Sequence, residues 1–217
     1  MIRALIFDFD GLILDTETPL VEAWARVHQD AGVAFNRANA HAVVGHVDVV
    51  FDPWRAFPAH ADRAQLDEIY RRHKTDLIAA EKILPGVEAL LDAAAKRELL
   101  LGVASNSDHA HVDGHLQRLG LASRFHAVGC RDDVSRGKPA PDVYQYVMRS
   151  LGVQPEETVA FEDSVPGHEA AHAAGIRVVV IPNPSTAHCT FPRAWLCKPS
   201  MAEVSLDLLL EKFQAVT

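Results

Sequence analysis

A short apolar run that ends in two carboxylates is the feature that most constrains this chain. Residues 4–7, Ala-Leu-Ile-Phe, are continuously apolar, which is typical of a strand buried on both faces of a parallel sheet. Asp8 and Asp10 follow at once, and their spacing places both side chains on one face at the carboxyl end of the strand. Open parallel sheets bind their ligands at that end, and Gly11 lets the backbone turn away from it. The pattern predicts a paired-carboxylate site, or else two acids that only cap the turn.

The paired carboxylates suggest a metal. Like charges held close together are unfavourable unless a cation lies between them. Oxygen ligands without thiolate or imidazole suit Mg²⁺. Mg²⁺ is therefore the cofactor expected if Asp8 and Asp10 form a site.

Composition narrows the possible partners. The chain has 217 residues, 48% of them hydrophobic, which suffices for one large domain or a domain with an insertion. Its formal net charge is -8 and no run of lysine and arginine stands out, so nucleic acid is not an expected partner. No apolar run approaches the roughly 18 residues of a membrane span, and the first strand leaves no room for a signal peptide. The three cysteines lack metal-ligand spacing and, being odd in number, indicate a reducing compartment without a disulfide framework: Cys130, Cys189 and Cys197. A cytoplasmic protein is therefore predicted.

Beyond residue 84, helical segments and short apolar runs alternate. Strands are predicted at residues 99–104, 127–130, 158–161 and 177–181, and a last short strand with a closing helix falls between Trp195 and Thr217. Such alternation implies right-handed crossovers and a parallel sheet. The sequence therefore predicts an α/β fold, a doubly wound parallel sheet with a Rossmann-like core.

Residues 18–82 interrupt this alternation because they contain no convincing strand. Thr18 and Pro19 suit the N-cap and first position of a helix that Gly32 ends, and a long polar helix is expected over residues 64–80. We predict a core made of residues 1–17 and 83–217 and an inserted all-helical cap subdomain made of residues 18–82. A cap inserted after the first strand would overhang the carboxyl edge of the sheet as a lid.

Two further strands end in polar loops. Ser105-Asn106-Ser107-Asp108 precedes a helix, so its hydroxyl, amide and backbone N–H groups could bind an oxyanion or phosphate, or could only cap that helix. Glu162 and Asp163 follow the fourth strand. With Asp8 and Asp10 they bring four carboxyl groups to one sheet edge, which one divalent cation and a lysine would largely neutralise. Lys138, in a loop stiffened by two prolines, is the candidate lysine.

In order and spacing, four segments resemble the four motifs of the haloacid dehalogenase superfamily: Asp8-Phe9-Asp10-Gly11, Ser105-Asn106, Lys138-Pro139 and Glu162-Asp163-Ser164. The longer stretch from Asp8 to Glu17 is similar to the phosphatase and β-phosphoglucomutase-like branch, which has an inserted helical cap. The resemblance covers residues 2–18 and 84–185. It implies a Mg²⁺-dependent phosphatase that acts on a small phosphorylated metabolite, a sugar or nucleoside monophosphate.

The resemblance also implies a role for each motif residue. Asp8 would be the nucleophile that forms an aspartyl-phosphate, and Asp10 would be general acid and then base, with its backbone carbonyl on Mg²⁺. Asp163, with Glu162 directly or through water, would hold the metal beside Asp8. The transferring phosphoryl oxygens would be bound by Ser105, Asn106 and Lys138.

Three other functions remain open. A β-phosphoglucomutase-like phosphomutase would use the same motifs, but relatives with that activity carry a histidine near the start of the cap, where this chain has Pro19-Leu20. A carbon–halogen hydrolase would need neither Mg²⁺ nor Asp10. A binding module on a retired scaffold would not need the full set of site residues. Nothing in the sequence demands a dimer, so a monomer is expected.

Histidines and cap residues give weaker signals. His111 with His115, and His168 with His172, have the i, i+4 spacing of metal ligands, but no third ligand is evident, so solvated or packing histidines are predicted. Thr16 and Glu17 at the presumed hinge are predicted to do no more than cap the next helix. In the cap, a solvated helix face is predicted in preference to substrate contact for four candidate residues: His46, Arg55, Arg72 and Lys74.

Overall fold

The computed structural model describes residues 1–41 and 51–215. Within these ranges, strands and helices alternate as the sequence predicts after residue 84. The elements are β1 (Ala4–Phe7), α1 (Glu17–Asp30), α2 (Arg37–His41), α3 (Arg63–Ala80), α4 (Val87–Lys96), β2 (Leu100–Ala104), α5 (His109–Arg118), β3 (Ala127–Gly129), α6 (Asp142–Leu151), β4 (Thr158–Glu162), α7 (Val165–Ala173), β5 (Arg177–Val180), β6 (Leu196–Cys197) and α8 (Leu206–Gln214).

The strands form one parallel sheet in the order β3-β2-β1-β4-β5-β6. Phe7, at the end of β1, lies opposite Val103 of β2 and Phe161 of β4. The chain winds outward on one side of β1 and then on the other, so the order reverses beside β1. Doubly wound sheets bind their ligands at such a reversal. The predicted α/β fold is confirmed, and β1 lies where a site is expected.

Both faces of the sheet are buried, which explains why β1 has no polar alternation. Leu5 and Phe7 belong to the apolar cluster on one face, and Ala4 and Ile6 belong to the cluster on the other. On the first face, the Phe7 and Phe161 rings stack with centroids 4.7 Å apart. Apolar contacts on both faces therefore fix β1, and with it the acids that follow.

Along the chain, helices α1, α2 and α3 come between β1 and β2, and they are called here the inserted helices. Trp24 of α1 stacks on Tyr70 of α3, with ring centroids 5.4 Å apart. The last turn of α3 is held by Arg118 of α5, whose Nη1 donates to the carbonyl oxygens of Ala79 and Glu81 at 3.1 and 2.9 Å. An arginine at these unpaired carbonyls also suits the negative end of the helix dipole.

The prediction for the start of α1 is wrong. The helix begins at Glu17 with Thr16 in the N-cap position, so Thr18 lies inside it. Asp15 accounts for the earlier start, because its Oδ1 accepts hydrogen bonds from the backbone N–H groups of Glu17 and Thr18 at 3.1 and 2.9 Å. The boundaries of the cap at residues 18 and 82 stay a prediction. In the described ranges, no helix is both long and apolar enough to cross a membrane.

Candidate active site

The predicted site residues meet at the carboxyl edge of the sheet. Asp8 and Asp10 follow β1, Ser105 follows β2, and Asp163 follows β4. Lys138 comes from the loop before α6. A cavity of about 140 Å³ is lined by Asp8, Asp10, Ser105, Asn106, Lys138 and Asp163, among others. Glu162, the last residue of β4, is fully buried beside this cavity.

Lys138 joins two of the acids. Its Nζ lies 2.9 Å from Asp8 Oδ1 and 2.7 Å from Glu162 Oε1, and the hydroxyl of Tyr144 also donates to that Glu162 oxygen. Asp8 Oδ1 accepts a second hydrogen bond from the backbone N–H of Phe9 at 2.7 Å. Burial alone would lower the pKa of Lys138, but the charges of Asp8 and Glu162 outweigh it and hold the pKa above its ordinary value. The lysine is therefore an ammonium in the site.

Asn106 holds the backbone of this lysine. Its Oδ1 accepts from the Lys138 N–H at 2.7 Å, and its Nδ2 donates to the Lys138 carbonyl oxygen at 3.2 Å. Gly137 permits the approach, because a Cβ at that position would lie 2.6 Å from Asn106 Oδ1. The Asn106 amide thus fixes the loop from which Lys138 reaches the cavity. Its expected contact with phosphate stays a prediction.

Three carboxyl groups form a candidate cation site. Asp8, Glu162 and Asp163 each offer an oxygen within 4.8 Å of the others. Among the residues that the structure describes, Glu162 Oε2 and Asp163 Oδ1 are buried and have no hydrogen-bond partner. Burial and the charge of Asp8 raise the pKa of Glu162 to about 8, and they raise that of Asp163 well above its ordinary value. The single positive charge of Lys138 does not balance three carboxyl groups. Orphaned carboxylate oxygens fit a hard divalent cation.

Asp10 is held by side chains from two other segments. Its Oδ1 accepts from Thr16 Oγ1 at 2.8 Å and contacts His111 Nε2 at 2.8 Å. Its Oδ2 accepts from Ser107 Oγ at 2.7 Å and, more weakly, from Ser105 Oγ at 3.4 Å. Burial raises the pKa of Asp10, but these hydrogen bonds, led by that of His111, bring it below the ordinary value. Asp10 is therefore an anion, and its hydrogen bond raises the pKa of His111.

His111, Thr16 and Ser107 contact Asp10, a partner that the sequence assigned to none of them; Ser107 was predicted only as part of a loop that binds an oxyanion or caps a helix. His111 was predicted to be a solvated or packing residue, and its contact with Asp10 corrects that prediction. Thr16 occupies the N-cap position of α1, but its hydroxyl binds Asp10 and makes no hydrogen bond to the helix backbone, which corrects its predicted capping role. His115 and His168 do pack against aromatic rings, those of Phe9 and Phe191.

A larger cavity of about 780 Å³ opens beyond Asp10, between the inserted helices and the loops after β2 and β3. Lys74, one of the four candidate cap residues, lines it. Arg55 instead lines a separate cavity beside α1, and Arg72 lines neither. His46 lies outside the described residues. The larger cavity is lined by Asp10, Thr16, Glu17, Leu20, Lys74, Ile78, Asn106, Ser107, Asp108, His111, Arg131 and Asp132.

Comparison with known proteins agrees with this geometry. Residues 5–181 match the family model of the haloacid dehalogenase-like hydrolases. YhcW of Bacillus subtilis (strain 168) is 39% identical over 215 residues, which cover 97% of each chain. Fructose-1-phosphate phosphatase YqaB of Escherichia coli (strain K12) is 35% identical over 183 residues, covering 81% of this chain and 94% of YqaB.

A solved structure shows the same fold. CbbY from Rhodobacter sphaeroides in complex with phosphate superposes with a TM-score of 0.73 at 27% identity, covering 94% of this chain and 96% of CbbY. Residues 5–181, which the family model matches, contain β2 to β5, all of β1 but its first residue, and every predicted site residue. The chain therefore belongs to the haloacid dehalogenase-like hydrolases, and within that family it is a phosphatase.

Proposed function

We propose that this phosphatase hydrolyses a small sugar phosphate through an aspartyl-phosphate on Asp8, with Mg²⁺ as its metal. One observation carries the proposal. Asp8, Lys138 and Asp10 line a cavity of about 140 Å³, and Asp10 also lines the larger cavity. The inner cavity suits a phosphoryl group, and the outer one suits the rest of a small ester.

In the first step, Asp8 attacks phosphorus and the bond to the leaving oxygen breaks. Lys138 and Phe9 N–H both contact Oδ1 of Asp8, which favours Oδ2 as the attacking atom. Asp10 gives a proton to the leaving oxygen, so the product leaves as an alcohol. Because Asp10 rests as an anion, it must first take up a proton. His111 Nε2, at 2.8 Å, is placed to pass one on.

The negative charge on the phosphoryl oxygens must be stabilised by groups of the site. The Lys138 ammonium and the Ser105 hydroxyl are the proposed donors. Asp8, Glu162 and Asp163 would hold Mg²⁺, which when bound supplies the charge that lets an anionic ester approach these acids.

In the second step, water attacks the phosphorus of the aspartyl-phosphate. Asp10 takes the proton from that water, the bond to Asp8 breaks, and inorganic phosphate leaves. The hydrogen bonds from Thr16 and Ser107 hold the Asp10 carboxylate in place for this role. Asp10 thus acts once as acid and once as base, and the enzyme returns to its starting state when Asp10 passes this last proton back to His111.

The larger cavity favours a sugar as the leaving group. Among its lining residues in the described ranges are charged groups of both signs and no Phe, Tyr or Trp, which leaves His111 and Arg131 as the groups there that could stack on a nucleobase. Asp108 and Asp132 can accept hydrogen bonds from hydroxyl groups, and Lys74 and Arg131 can donate them. YqaB, a fructose-1-phosphate phosphatase by name, supports the same substrate class.

We further propose that residues 18–82 act as a cap over this cavity. Leu20 of α1 and Lys74 and Ile78 of α3 line it from the side of the inserted helices. Asn106, Asp108 and Arg131 line it from the side of the sheet. A substrate bound between these two sides would be shielded from water.

The test is phosphate release from a panel of sugar, nucleotide and short-chain phosphate esters, with Mg²⁺ and with a chelator in parallel. We expect metal-dependent release from sugar phosphates and a loss of at least about a thousandfold in kcat for Asp8→Asn. Asp92→Asn is the matched control, because Asp92 pairs with Arg124 and neither residue lines the two cavities. Near-normal turnover by D8N would overturn the mechanism. An isomerised sugar phosphate without free phosphate would favour the mutase.

A further inference from the structure

Asn183, in the loop after β5, lies between two carboxylates. Its Nδ2 is 2.6 Å from Asp163 Oδ2 and 2.8 Å from Glu17 Oε2. An amide nitrogen carries two hydrogens, so it can donate one to each acid. Asp163 is a proposed metal ligand, and Glu17 is the first residue of α1. One side chain thus joins the metal centre to the start of the inserted helices.

The loop itself fixes the orientation of this amide. Asn183 Oδ1 accepts from the backbone N–H groups of Ser185 and Thr186 at 2.8 and 3.1 Å, and from the Thr186 hydroxyl at 3.3 Å. A flipped amide would place its oxygen against two carboxylates and its NH₂ against two N–H groups. The donors of Nδ2 are therefore committed to Asp163 and Glu17.

The turn after β1 leaves room for this arrangement. Gly11 has φ of 74°, in the left-handed region. A Cβ at this position would lie 2.3 Å from Asp163 Oδ2 and 2.5 Å from Asn183 Nδ2. The glycine of the first motif therefore packs directly on the bond between Asn183 and Asp163.

The bond also decides which oxygen of Asp163 is left for a cation. Asp163 is 1% exposed, and its Oδ1 is buried without a partner while Oδ2 is held by Asn183. Without a donor at Oδ2, the carboxylate would lose the hydrogen bond that sets its rotation. Groups that orient a metal ligand in this way commonly alter metal affinity by about 10–100-fold when they are removed.

We propose that Asn183 is a positioning residue that orients Asp163 toward the metal and docks Glu17, and through it α1, on the same centre. Glu17 receives a second hydrogen bond from the Ser185 side chain, so the loop after β5 holds the start of α1 at two points. The inference rests on the proposed function, because it assigns Asp163 to the metal.

Three variants of the full chain separate this role from simple loop packing. Asn183→Leu removes every contact of the amide. Asn183→Asp keeps an oxygen for the N–H groups of Ser185 and Thr186 but turns an oxygen toward Asp163 and Glu17. Thr186→Val is the matched control. It removes the hydroxyl that accepts from Asn183 N–H at 3.0 Å and donates to Asn183 Oδ1 at 3.3 Å, but it keeps the Thr186 N–H bond to Oδ1 and leaves the two carboxylates untouched.

Mg²⁺ affinity is measured by isothermal titration calorimetry without substrate, together with the rise in Tm that saturating Mg²⁺ causes. We expect the Kd for Mg²⁺ to increase at least about tenfold in N183L and N183D, with a smaller rise in Tm. In T186V, the Kd for Mg²⁺ should stay within about twofold of the wild-type value, because Asp163 keeps its hydrogen bond from Asn183. Circular dichroism of the metal-free proteins checks that each variant is folded.

Two results would overturn the inference. Wild-type Mg²⁺ affinity in N183D would show that the two donated hydrogen bonds do not orient Asp163. Equal weakening in T186V and N183L would assign the effect to the loop. Both are distinguishable from failure of the proposed function, in which the wild type itself would bind no Mg²⁺ or release no phosphate.

Discussion

His111 Nε2 lies 2.8 Å from Asp10 Oδ1, so a helix that follows β2 supplies an imidazole to a carboxylate that follows β1. The first turn of α5 is placed for this contact by Asp108, which caps the helix by accepting from the His111 N–H at 2.9 Å. The Ser105–Asp108 loop therefore serves the site twice. It provides hydroxyls to Asp10, and it sets where α5 begins.

Removal of the His111 hydrogen bond should slow the chemical steps more than it weakens binding. His111→Phe keeps a ring that can pack against Phe9 but offers no nitrogen to Asp10. A carboxylate free to rotate would miss the leaving oxygen, so we expect kcat to fall about tenfold to a hundredfold with KM within about threefold. Steady-state kinetics on the best substrate measure both values.

Two further variants make this test specific to the hydrogen bond between His111 and Asp10. His111→Gln places an amide near the position of Nε2 and should recover part of the lost kcat. His115→Phe is the control for ring packing, because His115 stacks on Phe9 and has no hydrogen bond to Asp10. If H115F loses as much kcat as H111F, the effect belongs to packing and not to the Asp10 contact.

Asn106 and Lys138 should act as one unit. If Asn106 only holds the loop of Lys138, its substitution has nothing further to remove once the lysine is gone. We expect Lys138→Met to lower kcat/KM on the order of a hundredfold, Asn106→Leu on the order of tenfold, and the double variant no more than K138M. Independent, multiplicative losses would instead support direct binding of phosphate by Asn106. Tm values of all four proteins check that the comparison is between folded enzymes.

Much of this site was predictable because its residues follow buried strands. Strands covered on both faces appear in the sequence as continuous apolar runs, and parallel strands bring their carboxyl ends to one edge. Those two facts place Asp8, Asp10, Ser105 and Asp163 together without any knowledge of side-chain contacts. The parallel sheet itself was predicted from the alternation of helical segments and short apolar runs after residue 84.

The missed residues depend on contacts that spacing does not encode. His111 and His115 share one helix face, and only the position of α5 against β1 gives the first a carboxylate and the second an aromatic ring. Asn183 in an Asn-Pro sequence is typical of a turn, and its bond to Asp163 depends on the absence of a side chain at Gly11. The start of α1 was misplaced because Asp15, not Thr18, binds the free N–H groups.

Gly167→Ala should cost both stability and activity. A Cβ at Gly167, in the first turn of α7, would lie 1.9 Å from Glu162 Oε2. Glu162 cannot move aside freely because Lys138 and Tyr144 hold its other oxygen. We expect a loss of about 1–3 kcal/mol in the free energy of unfolding and a lower kcat. In contrast, a Cβ at Gly114 of α5 meets nothing within 4 Å, so G114A should stabilise the protein by about 0.5–1 kcal/mol. Urea denaturation measures both changes, and a G167A protein as stable as the wild type would contradict the packing argument.

Acid should destabilise the protein partly through His168. This histidine is buried in α7, its Nε2 has no hydrogen-bond partner in residues 1–41 and 51–215, and its ring meets Phe191 edge to face. Burial lowers the pKa of His168, and the nearby His172 lowers it further, although the Arg193 carbonyl and Glu169 act in the opposite direction. The unfolded chain binds a proton here near pH 6.5, whereas the folded protein does so only at lower pH. Stability should therefore fall as the pH drops below about 6.5 and level off below the folded-state pKa. We expect the Tm of His168→Phe to fall less between pH 7.5 and 5 than that of the wild type. His172→Phe, which changes an exposed histidine of the same helix and removes only its smaller effect on the pKa of His168, should give a curve between the two. Parallel curves for H168F and the wild type would show that this buried imidazole does not contribute to the acid sensitivity.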